Sequence, residues 1–352
     1  MKKEVTFGIL GLGRVVDKRL FNVFTKETTN SKVISVFDVD KFKLKKFSNF
    51  FKCSVVKNID EFLAKDFKFV YIATESGNHY SHIKKCFQYN KNVIVEKPPV
   101  LKISQLLELN KLAIKKKLKF YSVYQNRLNN AVKFAKNYLN RNKKLIYATL
   151  NLSWSRPQSY YNDWHGNWKM DGGVVAQQGI HYIDILIYLF GKPIKCISIT
   201  SNKVNKLQAE DTHSSIIVFK NNFSCTCNFT TALRPSDFEA SIKVYTKENL
   251  INLDGLCCNK ISSYSYSKIK NKKLDFLCKK NSEFVESGYG KSHSKVIQNI
   301  INHEINKKTQ TSPLKAIDTL DTLKLLNMMY ISATKQKWIY FNEKNLNSKL
   351  GN

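Results

Sequence analysis

Two residues of this chain have the type and setting for proton transfer. Lys97 lies in VIVEKPP, Val93 to Pro99, directly after an apolar run and before Pro98. At the carboxyl end of a buried strand, a lysine near another cation and a substrate can have its pKa lowered until it takes or relays a proton. A surface lysine is the bland alternative, and the strand-end position argues against it. His181 lies in YNDWHGNWKMDGGVVAQQGIHYIDIL, Tyr161 to Leu186. Gln177 precedes it by four residues, so a helix puts both on one face, with Ile180, Ile183 and Ile187 available for apolar contacts. A lone helical histidine is more often structural. One that follows Gly172-Gly173 and shares a face with Gln177 is expected to be catalytic.

The run VTFGILGLGRVV, Val5 to Val16, suggests what this pair works with. Gly11 allows a tight strand-to-helix turn, and Gly13 lets backbone N–H groups approach a pyrophosphate at the positive end of the next helix. The following apolar run, VISVFD, ends at Asp38, whose carboxylate can accept both hydroxyls of an adenosine ribose and repels a 2'-phosphate. NAD rather than NADP is therefore expected. Val16 takes the third fingerprint position, where Gly or Ala is usual, so helix and strand should pack slightly further apart. In VYIATESGNHYSH, Val70 to His82, Thr74, Ser76 and Asn78 offer hydroxyl and amide groups to phosphates or ribose. His79 and His82 read first as capping or packing residues. Ligands of open α/β sheets bind at strand carboxyl ends, which puts Glu96 and Lys97 beside the nicotinamide.

A scaffold must gather these strand ends. Val5 to Leu10, Val33 to Phe37, Val70 to Ala73, Asn92 to Val95 and Phe120 to Tyr124 alternate with helical stretches, the pattern of a parallel sheet covered on both faces. Asn129 to Tyr138 reads as a linking helix. From Leu145 onward, LIYATLNLSW, CISITS, SSIIVF, SCTCNFTT and ASIKVYT alternate at period two and predict a mostly antiparallel sheet with one covered and one open face. Further helices are expected over Val174 to Leu189 and Asp318 to Ser332. The fold class is α/β plus α+β: a Rossmann domain over 1–124 and a substrate-binding and oligomerisation domain over 125–345, with the helix near 316–334 packing back on the first. Asn259 to Gly290, rich in Lys, Ser and Asn, reads as a loop.

Composition sets outer bounds. A chain of 352 residues, 43% hydrophobic, supports two cores. No apolar run reaches the ~20 residues that span a bilayer, and Lys2-Lys3 with its short apolar sequel lacks a signal-peptide cleavage site. A cytoplasmic, non-membrane protein is expected. The eight cysteines form no C-x-x-C pair, so reduced thiols are expected, with no metal site. The net charge of +31 would suggest nucleic acid, yet only six of the 58 cationic residues are arginine and the lysines are dispersed. No dedicated nucleic-acid face is expected, although the charge favours polyanionic small molecules such as nucleotide sugars. Against that lysine background, the arginines at 14, 19, 127, 141, 156 and 234 stand out as sites needing a planar, bidentate donor.

Gly-Leu-Gly-Arg, Asp38, ATESGNH, EKP, the Gln125-x-Arg127 pair, W-x-x-DGG and the His181 helix together resemble the Gfo/Idh/MocA oxidoreductases, and do so along essentially the whole chain. Within that family, QQGIHYID, SWSRPQSYY and WHGNW look like the bacterial dehydrogenases that oxidise the 3-hydroxyl of UDP-N-acetylglucosaminuronate during surface-polysaccharide (lipopolysaccharide O-antigen) synthesis. The resemblance implies Lys97 and His181 as the proton-transfer pair. It implies NAD bound by Gly11, Gly13, Arg14, Val15, Asp38, Thr74, Ser76, Asn78, His79, Glu96, Lys97, Gln125, Trp164 and Trp168. Gln177 stands where the family commonly has Asp, which removes a carboxylate from the relay, and Glu75 replaces a frequent proline. The relatives also imply reoxidation of bound NADH by 2-oxoglutarate and a homodimer or homotetramer built on the open sheet face.

The expected reaction is hydride transfer from a secondary carbinol of a nucleotide sugar to nicotinamide C4, with Lys97 or His181 removing the hydroxyl proton. Substrate is expected to meet Lys97, Arg127, Arg156, Tyr160, Tyr161, Gln177 and His181, the arginines gripping the uronate carboxylate or pyrophosphate. Oxidation of a free sugar or cyclitol by the same residues is the rival enzyme. Outside enzymes, the rivals are an NAD(H) sensor, which the joint presence of Lys97 and His181 disfavours, and a basic nucleic-acid binder, which the dispersed lysines disfavour.

Overall fold

Val5–Leu10 (β1), Ser31–Phe37 (β2), Phe69–Ile72 (β3), Asn92–Val95 (β4) and Phe120–Ser122 (β5) form one parallel sheet in the order β2-β1-β3-β4-β5. These are the five expected strands. In the computed structural model, which describes residues 4–141, 144–266, 272–306, 309 and 311–352, they belong to a unit made of the chain up to Gln125 plus Lys291–Leu320. β1 pairs with both β2 and β3, so the winding reverses there and a crevice opens at the strand carboxyl ends.

Helices Lys41–Phe51 (α1), Ile59–Ala64 (α2), His79–Gln88 (α3) and Ile103–Lys115 (α4) connect these strands. Asp40 caps α1 by accepting the N–H groups of Phe42 and Lys43. The helical stretch after the glycine turn is irregular, with wide π-type turns over Val16–Leu20 and Val23–Glu27 and with Val16 fully buried.

The second unit, Asn126–Gly290 with Asp321–Asn352, holds Asn130–Arg141 (α5), Leu145–Ser153 (β6), Ile180–Phe190 (α6), Lys195–Ser201 (β7), Thr212–Val218 (β8), Ser224–Thr230 (β9), Glu239–Thr246 (β10), Asn249–Asp254 (β11) and Lys260–Ser265 (β12). Lys272–Lys280 (α7) follows. The sheet runs β12-β11-β10-β6-β9-β8-β7 and ends on a short strand, Ile339–Tyr340 (β13); among the described residues only its β6–β9 pair is parallel. Ala148, Leu150, Leu152, Cys225, Cys227 and Phe229 are buried on one face, while Tyr147, Ile199 and Ile216 are exposed. All eight cysteines are free thiols.

One expectation is corrected. Asn259 to Gly290 is not a plain loop, since it carries β12 and α7, whose Leu274 and Cys278 are buried four residues apart; 267–271 lie outside the described residues. Lys291–Leu320, with Ser292–Glu304 (α8), forms part of the first unit, and nearly all of Leu320–Lys335 (α9) forms part of the second. The reason is packing. Ile297, Ile300 and Ile301 of α8 are buried in the same core as Phe7, Phe24 and Phe69, each stabilising by roughly 1.5–3 kcal/mol. α9 instead sends Tyr330 onto Glu210. No helix among the described residues is long and apolar enough to cross a membrane.

Candidate active site

β1 leads into Gly11, at φ +88°, where a Cβ would lie 2.7 Å from Thr74 N and 2.8 Å from Ala73 C. Only glycine fits, because backbone angle and the passing β3 loop both exclude a side chain. Nothing lies within 4 Å of a Cβ at Gly13, so the backbone is open there. Asp38 closes the turn: its Oδ2 accepts the N–H of Leu12 at 2.7 Å and its Oδ1 that of Asp40 at 2.8 Å. Arg14 is exposed and Val15 half-buried beside it. An uncovered glycine backbone at a helix start, with a carboxylate pinned at its side, fits a dinucleotide.

Thr74, Ser76 and Asn78 are half-buried on the next loop, where Thr74 Oγ1 bonds His82 Nδ1 at 2.9 Å and Asn78 Nδ2 donates to Glu75 at 3.0 Å. His79 differs from them. Its ring is 1% exposed, with Nδ1 2.8 Å from Pro98 O and Nε2 3.0 Å from Thr74 O. Burial pushes its pKa down to about 4, against the pull of those carbonyls. It ties the Thr74 loop to the EKP loop.

Glu96 also faces inward. Tyr71 OH donates to its Oε1 at 2.6 Å, and His293 Nε2 lies 3.5 Å from the same oxygen. Burial pushes this carboxyl up, yet His293, Tyr71 and Lys97 together hold it below the ordinary carboxylate range. Lys97, half-buried, thus stands between two neighbours each held by a buried histidine, His293 on Glu96 and His79 on Pro98. Gln125 is 3% exposed and opens the single helical turn Gln125–Leu128.

In the second unit, His181 is half-buried on α6, next to a π-type turn over Val175–Gly179 that contains Gln177. Gln177 Oε1 accepts from Gln178 Nε2 at 2.9 Å. Glu210, which the motifs did not flag, braces the entry to this helix. Its Oε1 accepts from Val175 N at 3.2 Å and from Tyr330 OH at 3.0 Å, and it leaves no room for a Cβ at Gly173. Burial raises its pKa to about 8.

Three expected ligands have other partners. Arg127 directs its fork at Asp184, with Nε and Nη2 donating at 2.7 and 2.6 Å. Tyr161 is buried with its hydroxyl 2.7 Å from Thr231 Oγ1, which commits it internally. Trp168 donates its indole N–H to Gln208 O at 3.0 Å and meets Tyr330 edge-on. Arg156 remains a candidate. Nη1 donates to Asp237 at 2.9 Å, and the guanidinium carbon lies 5.0 Å from the Trp154 ring centroid and 5.7 Å from that of Tyr160. Trp164, His165 and Tyr160 continue as an aromatic cluster, with Trp164 stacked on His165 at 3.8 Å.

Both units match known proteins along the chain. Residues 5–125 match the model of an oxidoreductase family NAD-binding Rossmann fold, and residues 138–341 its C-terminal alpha/beta domain. Oxidoreductase P35 of Formosa agariphila is 27% identical over 286 residues, 76% of this chain and 86% of that protein. The WlbA dehydrogenase of Chromobacterium violaceum, solved with NADH and UDP-GlcNAcA, is 26% identical with a TM-score of 0.86, covering 96% of each chain. Its Bordetella pertussis counterpart shares the fold, with 22% identity, a TM-score of 0.87 and coverage of 96% of this chain and 98% of that one. The chain belongs to the Gfo/Idh/MocA family of NAD-dependent oxidoreductases.

Proposed function

We propose that this chain oxidises the 3-hydroxyl of UDP-N-acetylglucosaminuronate, a step of surface-polysaccharide synthesis. The observation that carries this reading is the likeness, over 96% of both chains, to the Chromobacterium violaceum dehydrogenase whose complex holds NADH and UDP-GlcNAcA. Arg156 adds support: its guanidinium carbon lies 5.0 Å from the Trp154 ring centroid and 5.7 Å from that of Tyr160, with Nη1 on Asp237, and the other edge of such a fork suits a carboxylate or pyrophosphate.

In this reading residues 1–124 bind NAD and 125–345 bind the sugar and mediate oligomerisation. Gly11, Gly13, Arg14, Val15, Asp38, Thr74, Ser76 and Asn78 hold the dinucleotide, joined by Lys97, Gln125 and Trp164. NAD, when bound, accepts the hydride. Lys97 and His181 take the proton from the sugar hydroxyl, help that is typically worth ~10²–10⁴-fold. Gln177 meets the sugar through its amide, Tyr160 through its ring. A homodimer or homotetramer covers exposed Tyr147, Ile199 and Ile216. We infer a cytoplasmic location, where NAD and activated sugars are both made, and recycling of NADH by 2-oxoglutarate.

The test is a panel of UDP-N-acetylglucosaminuronate, UDP-N-acetylglucosamine and free sugars, following reduced-cofactor absorbance with and without 2-oxoglutarate. Turnover confined to UDP sugars is expected. Turnover of free sugars or cyclitols alone would refute the reading.

A further inference from the structure

Arg127, Asp184 and Thr322 meet inside the second unit although the sequence separates them widely. The Arg127 fork donates to Asp184 Oδ2 and Oδ1 at 2.7 and 2.6 Å, and Thr322 Oγ1 donates to Oδ1 at 2.8 Å. The side chains of Arg127 and Asp184 are only 15% and 1% exposed. Asp184 follows His181 by one helical turn on α6, so the two are neighbours on the helix surface. Arg127 lies next to the point where the chain enters this unit at Asn126, and Thr322 next to its re-entry at Asp321. A bidentate fork resists rotation of either partner, because turning one misaligns both hydrogen bonds at once.

We propose that the Arg127–Asp184–Thr322 knot is a positioning device for His181, locking α6 about its axis against the two segments by which the chain enters the unit. This rests on the reading of His181 as a catalytic residue. Asp184 and its partners act through that imidazole and do not touch the substrate.

Three changes to the full-length protein test it. Thr322→Val removes one hydroxyl and leaves the ion pair; Arg127→Lys keeps the charge and loses the fork. Arg127→Met combined with Asp184→Leu replaces the pair by apolar side chains, an exchange buried ion pairs often tolerate. With His181→Asn as reference, each is measured for NADH binding, for kcat and KM with UDP-N-acetylglucosaminuronate across pH, and by NMR of labelled histidine. The His181 resonance is the one missing from His181→Asn. Misplacing a catalytic group costs up to ~100-fold, so kcat should fall about ten- to a hundred-fold in the two arginine variants and less in Thr322→Val. KM and NADH binding should hold, while the His181 resonance and its titration move. Folded variants with wild-type kcat and an unmoved His181 resonance overturn the proposal, and Thr322→Val decides the matter if the others do not fold. Full turnover in His181→Asn would sink the catalytic reading instead, leaving the resonance shift to judge the knot.

Discussion

Asp38 Oδ2 accepts the backbone N–H of Leu12 at 2.7 Å, so the carboxylate proposed to meet the ribose also closes the glycine turn. Asp38→Ala should therefore weaken NADH binding and narrow the preference over NADPH. A hydrogen bond to a charged group contributes roughly 1.5–3 kcal/mol, which predicts about a ten- to hundred-fold rise in Kd for NADH. Asp38→Asn, which keeps an acceptor, should fall between. Fluorescence titration with both cofactors checks this; tighter NADPH binding by the wild type would contradict it.

Lys97→Met and His181→Asn should each keep NADH binding and lose about 10²–10⁴-fold in kcat. If the two act as one unit, the double variant is little worse than the poorer single. Steady-state kinetics with UDP-N-acetylglucosaminuronate decide, and near-wild-type turnover in both singles would remove the pair.

Arg156→Lys keeps the charge but not the planar fork over Trp154 and Tyr160. The loss expected in kcat/KM is about ten- to a hundred-fold. A carboxylate ligand affects UDP-N-acetylglucosaminuronate far more than UDP-N-acetylglucosamine, whereas a pyrophosphate ligand affects both alike. Unchanged kinetics with both sugars would exclude Arg156.

Glu210 gives stability a definite slope with pH. Its folded pKa of about 8 lies above the ordinary 4.5, so the folded state holds the proton more tightly. The stability this adds is full below about pH 4.5 and declines as pH rises to about 8, at no more than roughly 1.4 kcal/mol per pH unit. Glu210→Gln should leave Tm nearly unchanged in acid and raise it relative to wild type above pH 8. Parallel Tm-versus-pH curves for the two proteins would show that the carboxyl is not held neutral.

What the sequence determined by itself was local and periodic. β1 and β4 span the residues expected, because contiguous buried runs bounded by glycine or charge specify a strand without reference to distant partners. The glycine turn was legible for the same reason: Gly11 reports its own backbone angle. Lys97 and His181 could be singled out from their flanking motifs. The tertiary structure decided what each polar side chain faces. α6 brings Asp184 to Arg127 from 57 positions away, and Pro98 O meets the His79 ring from across the loop. Glu210, lodged against Gly173, had no motif to announce it. α8 likewise carries ordinary helical spacing, Ile297, Ile300 and Ile301, that says only that one face is apolar. Which core that face enters depends on the shape of the packing around Phe7 and Phe69, which pattern along the chain does not encode.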